Sequence, residues 1–321
     1  MASLRYLNAE DVKALMPPMA EVVEVAEEAL TALGKGEASN PPKVDLTPGR
    51  DAFLHAMPAM TAQVAGMKWV SGFPTNKGHD LPYIHGLIVL NDIETGAPVA
   101  VMDATHITAV RTGACSAVTA KHLADPNSEV ITIVGCGVQG RANIEALLAA
   151  FPGTERMLAF DTDVQRQETF ADEVMTTFDL ASIIPPEPEE ACVGAQILVT
   201  STPIVKDPKP FIEPDWLQDG TCCIALDFDA AFQPQIFADA DRFVTDDAAQ
   251  FRSYRDKGYF AGVRDPDSDL PSILAGNAPG RGDGEPTVLA ANLGLGLLDV
   301  TLGAKILARA ESEGRGTELS L

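Results

Sequence analysis

Long apolar runs are missing from this sequence. None of its 321 residues falls in an uninterrupted apolar stretch of the about 18 residues that a membrane-crossing helix needs. The opening MASLRYLNAE also lacks the basic-then-apolar order of an export signal. A cytoplasmic protein with no membrane partner is the expectation. Cysteine is scarce as well: Cys115, Cys136, Cys192, Cys222 and Cys223 are odd in number and lie in apolar segments, without the spacing of a zinc site or a disulfide framework. Reduced, buried thiols and no metal follow. Basic side chains are outnumbered, 23 against 46 acidic ones, for a formal net charge of −23. A diffuse negative field repels polyanions, which argues against nucleic acid as a partner. The same acid excess would keep the chain soluble in salt.

The chain does have enough length and apolar content, 46% hydrophobic, for two linked cores. Asn8 is a candidate N-cap, and from there to Gly36 the segment reads as helix, with Val22, Val25, Ala26, Ala29, Leu30 and Leu33 at helical spacing after Pro17 and Pro18. From Pro41 to Asp103 the texture changes to short apolar runs: FLHAMPAM, VAGMKWVSGF, YIHGLIVLND and APVAVMD. These predict strands of an antiparallel or mixed sheet, with NDIETGAP as a hairpin turn. Thr105 to Leu123, rich in small residues, predicts a closely packed helix linking the two cores.

From Glu129 strand and helix alternate: EVITIVG, RANIEALLAAF, RMLAFD, DVQRQETFADEVMTTF and ILVTSTP, with CCIALDF and RFVTDD as further strands. Such alternation predicts an α/β domain, a Rossmann-type doubly wound parallel sheet, beside a mixed α+β domain. PPEPEE (185–190) reads as a solvated loop, and a helix from Leu293 to Ala310 is expected to end the fold after the AGNAPGRGDGEP loop.

The segment VGCGVQGRANIEAL follows a buried strand and opens a helix, the context a dinucleotide loop requires. Gly135 would permit the tight turn, Gly137 the approach of a pyrophosphate, and Gly140 close packing of helix on strand. The N–H groups of Val138, Gln139 and Gly140, at the positive end of the helix, would hold the negative charge. Asp161 closes the next strand 21 residues after Gly140, where a carboxylate would accept the adenosine ribose hydroxyls. With Thr162 and Asp163 beside it, it offers a 2′-phosphate only repulsion, which favours NAD over NADP. Thr200, Ser201 and Thr202 end a strand on the same edge, where the nicotinamide ribose commonly sits; a polar loop end accounts for them about equally well.

With these residues placed, the chain resembles the ornithine cyclodeaminase and mu-crystallin family over nearly its whole length. The resemblance is carried by MPAM (57–60), GMKWVSGFPTN (66–76), LNDIETGAPVAVMDATHITAVRTGACSA (90–117), VGCGVQG with the family's GxGxQG form, and GRGDGEPTVLAANLGLGLLD (280–299). It implies a homodimer, a substrate-binding and dimerisation domain made of 1–120 plus 295–321, and a Rossmann NAD-binding domain over 121–294. It also implies chemistry at the α-carbon of a small amino or imino acid. Lys68 matches the family lysine at the substrate carboxylate and reacting centre, and Arg111 the arginine that clamps the carboxylate, a task that suits its planar fork. Lys43 stands where many members carry a second carboxylate-binding arginine. Asp229, in LDFDAAF, falls at the catalytic aspartate, with Asp227 two residues away and projecting to the same side if the chain stays extended. Thr112, Asn292 and Gly294 fall near the cofactor, and His55 near the position that reads the substrate side chain.

The family's cyclodeaminases follow the aspartate with Gly-Lys-x-Glu-Leu, whereas this chain has DAAFQPQIF. Substrate identity is therefore open at this stage. An NAD-linked amino-acid dehydrogenase or imine reductase, a redox-neutral cyclodeaminase that releases ammonia, and a mu-crystallin-like nucleotide-binding protein all fit the motifs.

Overall fold

The computed structural model describes residues 3–49, 51–282, 284 and 286–321. Asp283 and Glu285 of the GRGDGEP stretch lie outside the described residues, as do Met1, Ala2 and Arg50. The chain divides into two compact units, Met1–Arg111 with Leu295–Leu321, and Thr112–Gly294.

The first unit opens with β1 (Ser3–Leu7), then α1 (Ala9–Leu15) and α2 (Met19–Gly34). Asn8 caps α1 by accepting the N–H groups of Glu10 and Asp11, and Asp11 returns the bond to the Asn8 N–H. The segment expected as helix throughout is thus two helices, because Pro17 and Pro18 withdraw two amide donors between them. Strands β2 (Val44–Gly49), β3 (Ala52–Met60), β4 (Val64–Gly72), β5 (Ile84–Asp92) and β6 (Pro98–Asp103) form an antiparallel run, with the NDIETGAP turn joining the last two. Helix α3 spans Thr105–Leu123 as expected, and the boundary between the units falls inside it.

The second unit is an α/β layer. Its elements are β7 (Val130–Val134), α4 (Val138–Ala150), β8 (Arg156–Phe160), α5 (Val164–Phe178), β9 (Ala181–Ile183), α6 (Pro188–Cys192) and β10 (Ile197–Thr200). They continue with β11 (Cys222–Ala225), α7 (Pro234–Asp239), β12 (Arg242–Thr245), α8 (Ala248–Asp256), β13 (Ser268–Asp269), α9 (Leu270–Leu274) and β14 (Val288–Ala291). Every ladder is parallel, in the order β13-β12-β14-β11-β10-β7-β8-β9. The strands of its centre are buried from end to end, as a sheet covered on both faces demands. All five cysteines are buried, and burial pushes the Cys136, Cys192 and Cys222 thiols up to about 12. PPEPEE departs from the expected loop: Pro185 is buried and Pro188 starts α6, its fixed φ suiting a first helical turn.

The chain then returns to the first unit through α10 (Gly296–Glu313) and β15 (Thr317–Ser320). The helix starts and ends three residues later than expected, and the fold ends on a strand rather than on the helix. Among the described residues the sheet of this unit reads β15-β1-β6-β5-β4-β3-β2, with only the β1–β6 pair parallel. Helix α10 packs on its inner face, where Gly303 lies against Met102, Ile88 and Leu90.

Candidate functional site

Sheet register places Lys68 in an apolar row. Met57 pairs with Lys68, Lys68 with Ile88, Ile88 with Met102, and Met102 with Leu7, and all five side chains are buried. A cation with no exposed surface in such a row needs a counter-charge. Asp299, from the first turn of α10, supplies it: its Oδ2 lies 2.6 Å from Lys68 Nζ. Arg111, on α3, donates from Nε to the other oxygen, Oδ1, at 3.1 Å. Lys68 Nζ also donates to Thr108 Oγ1 at 3.3 Å, and Thr108 stands one helical turn before Arg111. Arg111 is 6% exposed, and its Nη1 finds no acceptor among the described residues. Burial lowers the Lys68 pKa from 10.5 to about 7, helped by the Arg111 charge and more weakly by Lys43, while Asp299 pulls it back up. Lys43, half-buried, stands just before Val44, which is in register with Ala56. His55 is on β3, paired with Val70 and stacked on Phe53 at 4.3 Å.

Asp299 is the residue that sequence reasoning missed. Within GLGLLDVTLG it looks like one polar position of an apolar helix. The available signal was chemical: two cations expected at one site require a carboxylate, and a lone Asp among leucines is expensive to bury without a partner.

In the second unit the glycine loop joins β7 to α4. Gly135 has φ +100°, and a Cβ there would lie 2.7 Å from Ser201 O. A Cβ on Gly140 would lie 2.5 Å from Gly135 O, so helix and strand approach as closely as expected. Gly137 is the N-cap of α4 with no side chain capping the first turn, and a Cβ there would meet nothing within 4 Å. Open space thus adjoins the N–H groups of Val138, Gln139 and Gly140, which is the cradle a pyrophosphate requires. Gln139 Oε1 is buried without a donor among the described residues. Asp161 accepts Cys136 N–H through Oδ2 and Asp163 N–H through Oδ1, each at 2.9 Å, with Arg166 Nη1 3.6 Å away; Thr162 is exposed. These features fit a dinucleotide.

Two aspartates that looked equivalent are separated by the backbone. Phe228 has φ +64°, a left-handed conformation that breaks the extended chain, and its ring packs on Tyr254, Tyr259 and Phe260. Asp227 turns inward and accepts Thr200 Oγ1 at 2.6 Å, Thr202 N at 3.0 Å and Thr202 Oγ1 at 2.5 Å. It braces the TSTP segment. Ser201 donates to Gly135 O at 2.9 Å, tying the same segment to the glycine loop. Asp229, half-buried, accepts Phe260 N–H at 2.8 Å; burial raises its pKa and the Phe260 bond opposes the rise.

Asn292, after β14, donates to Thr119 Oγ1 at 3.0 Å, and its buried Oδ1 has no donor among the described residues. Gly294, φ +85°, donates to Asp246 Oδ2 at 2.5 Å and accepts from Gln250 Nε2 at 2.9 Å. Thr112 is half-buried on α3, its carbonyl accepting from Ser116 Oγ at 3.4 Å. The structure therefore groups Lys68 and Arg111 around Asp299 in one unit, with Lys43 close enough for its charge to be felt. It groups Gly135 to Gly140, Asp161 and the TSTP residues in the other.

Comparison with known proteins gives this grouping a context. The alanine dehydrogenase of Archaeoglobus fulgidus is 33% identical over 322 residues, 98% of this chain and 97% of that protein. A solved archaeal alanine dehydrogenase dimer with bound NAD is 31% identical, covers all of both chains and superposes with a TM-score of 0.91. The Δ1-pyrroline-2-carboxylate reductase of Thermococcus litoralis, solved with NADH and L-proline, is 26% identical over 98% of this chain and 99% of its own, with a TM-score of 0.87. The model of the ornithine cyclodeaminase/mu-crystallin family matches residues 5–314, and the chain belongs to that family.

Proposed function

We propose that this protein is an NAD-dependent oxidoreductase that exchanges hydride with the α-carbon of a small amino or imino acid. The observation that carries the reading is the buried Lys68–Asp299–Arg111 cluster, in which Arg111 keeps an unpartnered Nη1 for a substrate carboxylate. Lys43 adds positive charge to the same end. NAD, held by the glycine loop, Asp161, the TSTP segment and the residues near Asn292 and Gly294, supplies a hydride acceptor or donor.

The chain's own residues bind, orient and move the proton. As the α-carbon C–H bond breaks and its electron pair leaves with the hydride, the amine loses a proton to the neutral Lys68 amine or to the Asp229 carboxylate. In the reverse sense the same group returns a proton to the imine nitrogen. A Lys68 pKa of about 7 suits both directions near neutrality. Holding the reactants in line is worth ~7 to 11 kcal/mol of the barrier.

A homodimer is part of the proposal. On the sheet face away from Lys68, Val44, Trp69 and Leu87 are 64%, 37% and 45% exposed, and they stand in one cross-strand row through Ala56. Apolar exposure in a row of that kind calls for a cover, and the archaeal neighbour is a dimer.

The test incubates the protein with NAD and a panel of amino acids and follows both reduced-nicotinamide absorbance and ammonia. Ammonia with lasting NADH supports the dehydrogenase. Ammonia without it means cyclodeamination, and NADH binding with no turnover of any amino acid or of 2-oxo acid plus amine means a nucleotide-binding protein.

A further inference from the structure

We propose that Asp299 is the positioning residue of this site, dividing its two carboxylate oxygens between Lys68 and Arg111 so that one helix residue sets both the place of the proton carrier and the angle of the carboxylate clamp. The inference rests on the amino- or imino-acid reading above. Its geometry is independent of any ligand: Asp299 is 0% exposed, Oδ2 is 2.6 Å from Lys68 Nζ, and Oδ1 takes Arg111 Nε at 3.1 Å. Because Asp299 takes Nε, the guanidinium is fixed edge-on and Nη1 is left over. A clamp held through one edge loses little rotamer entropy on meeting a substrate.

The charges around Lys68 make the same residue control its protonation. Arg111 on α3 and Lys43 before β2 disfavour the ammonium, Asp299 on α10 favours it, and Thr108 on α3 accepts one of its hydrogens. Among the described residues, Asp299 is the one carboxylate that offsets burial at Lys68. A substrate carboxylate would add a second. Asp299 thus leaves Lys68 able to gain and lose a proton near neutral pH instead of remaining neutral throughout.

The decisive measurement is a titration of protein carrying [13Cε]lysine, with the Lys68 resonance identified by its loss in Lys68→Met. In the wild type it should titrate near pH 7. In Asp299→Asn, which keeps the volume and removes the charge, it should titrate lower by about one pH unit or more, so that the protonated fraction at pH 7 falls from about half to about a tenth. The pH limit of imine reduction should move down with it, and kcat should fall together with a rise in KM as Arg111 loses its anchor. An Asp299→Asn resonance that titrates with the wild type overturns the inference.

If Asp299→Asn fails to fold by circular dichroism, Asp299→Ser, smaller and likewise uncharged, answers instead. The Lys68 titration should again move down, and an unchanged or higher value overturns the inference. These titrations need no turnover. A wild type that shows the expected titration but oxidises no amino acid and reduces no imine would sink the proposed function and leave the Asp299–Lys68 coupling standing.

Discussion

Asp161 accepts the backbone N–H of Cys136 at 2.9 Å, so the residue expected to hold the adenosine ribose also pins the glycine loop. Its side chain is 8% exposed and its second oxygen takes Asp163 N–H, which starts α5 by capping it. Asp161→Ala should therefore do two things. The Kd for NAD should rise about tenfold or more as charge-assisted bonds are lost, with discrimination against NADP relaxed. Stability should fall by about 1–3 kcal/mol, because two partly shielded amides lose their acceptor. NADH fluorescence titration and urea melts read the two effects separately. An unchanged Kd would remove the ribose contact from the proposal, and an unchanged melt would show that the loop does not depend on the Cys136 bond.

The cross-strand pair Trp69 and Leu87 offers a test of assembly. Leu87→Lys places a charge in the exposed apolar row without touching the buried row that contains Lys68. Sedimentation should then show the mass halved at micromolar concentration, with NADH affinity within about twofold of wild type, since desolvating an unpaired lysine in an interface is costly. A dimer of undiminished stability would mean that another surface makes it.

Much of this was legible in the sequence, for identifiable reasons. Thr105–Leu123 was readable as a helix from its small residues at helical spacing, and Gly135 and Gly140 as the tight strand-to-helix turn because a Cβ at either would run into backbone. β1 and β15 escaped notice because SLRYL and TELS are only five and four residues long, and β1 finds its partners β15 and β6 far along the chain. Asp299 escaped for a related reason: it lies 188 residues from Arg111, and no local pattern announces an ion pair of that range. The equivalence of Asp227 and Asp229 rested on extended backbone, and one left-handed residue, Phe228, removed it. Patterns of period 2 and 3.6 report what a residue's own element does. They do not report what arrives from elsewhere in the chain.

The acid excess leads to a further expectation. A formal net charge of −23 repels itself in the folded state, and salt screens that repulsion over a Debye length of about 10 Å at 0.1 M. The Tm should rise by at least a few degrees between low salt and about 1 M sodium chloride. Sodium chloride and sodium sulfate of equal ionic strength distinguish the causes. Screening raises Tm similarly in both, whereas strengthened burial makes sulfate much the more effective. A Tm that does not respond to chloride would show that the surface charge costs the fold nothing.

Lys68 also ties stability to pH in the absence of any ligand. Its pKa is 10.5 when unfolded and about 7 when folded, so between those values the unfolded chain binds more protons than the native one. Stability from this group therefore rises with pH across that window and is lost as pH falls towards 7. Lys68→Met removes the titrating group and keeps a side chain of similar length in the row of Met57 and Ile88. Subtracting its denaturation free energy from that of the wild type cancels the titrations of groups that do not interact with Lys68. The difference should favour the wild type increasingly from pH 7 to 10, by up to about 1.4 kcal/mol per pH unit, and should be flat below about pH 6. A difference independent of pH would mean that Lys68 keeps its ordinary affinity for the proton when buried, and that Asp299 alone is enough to hold its charge in the core.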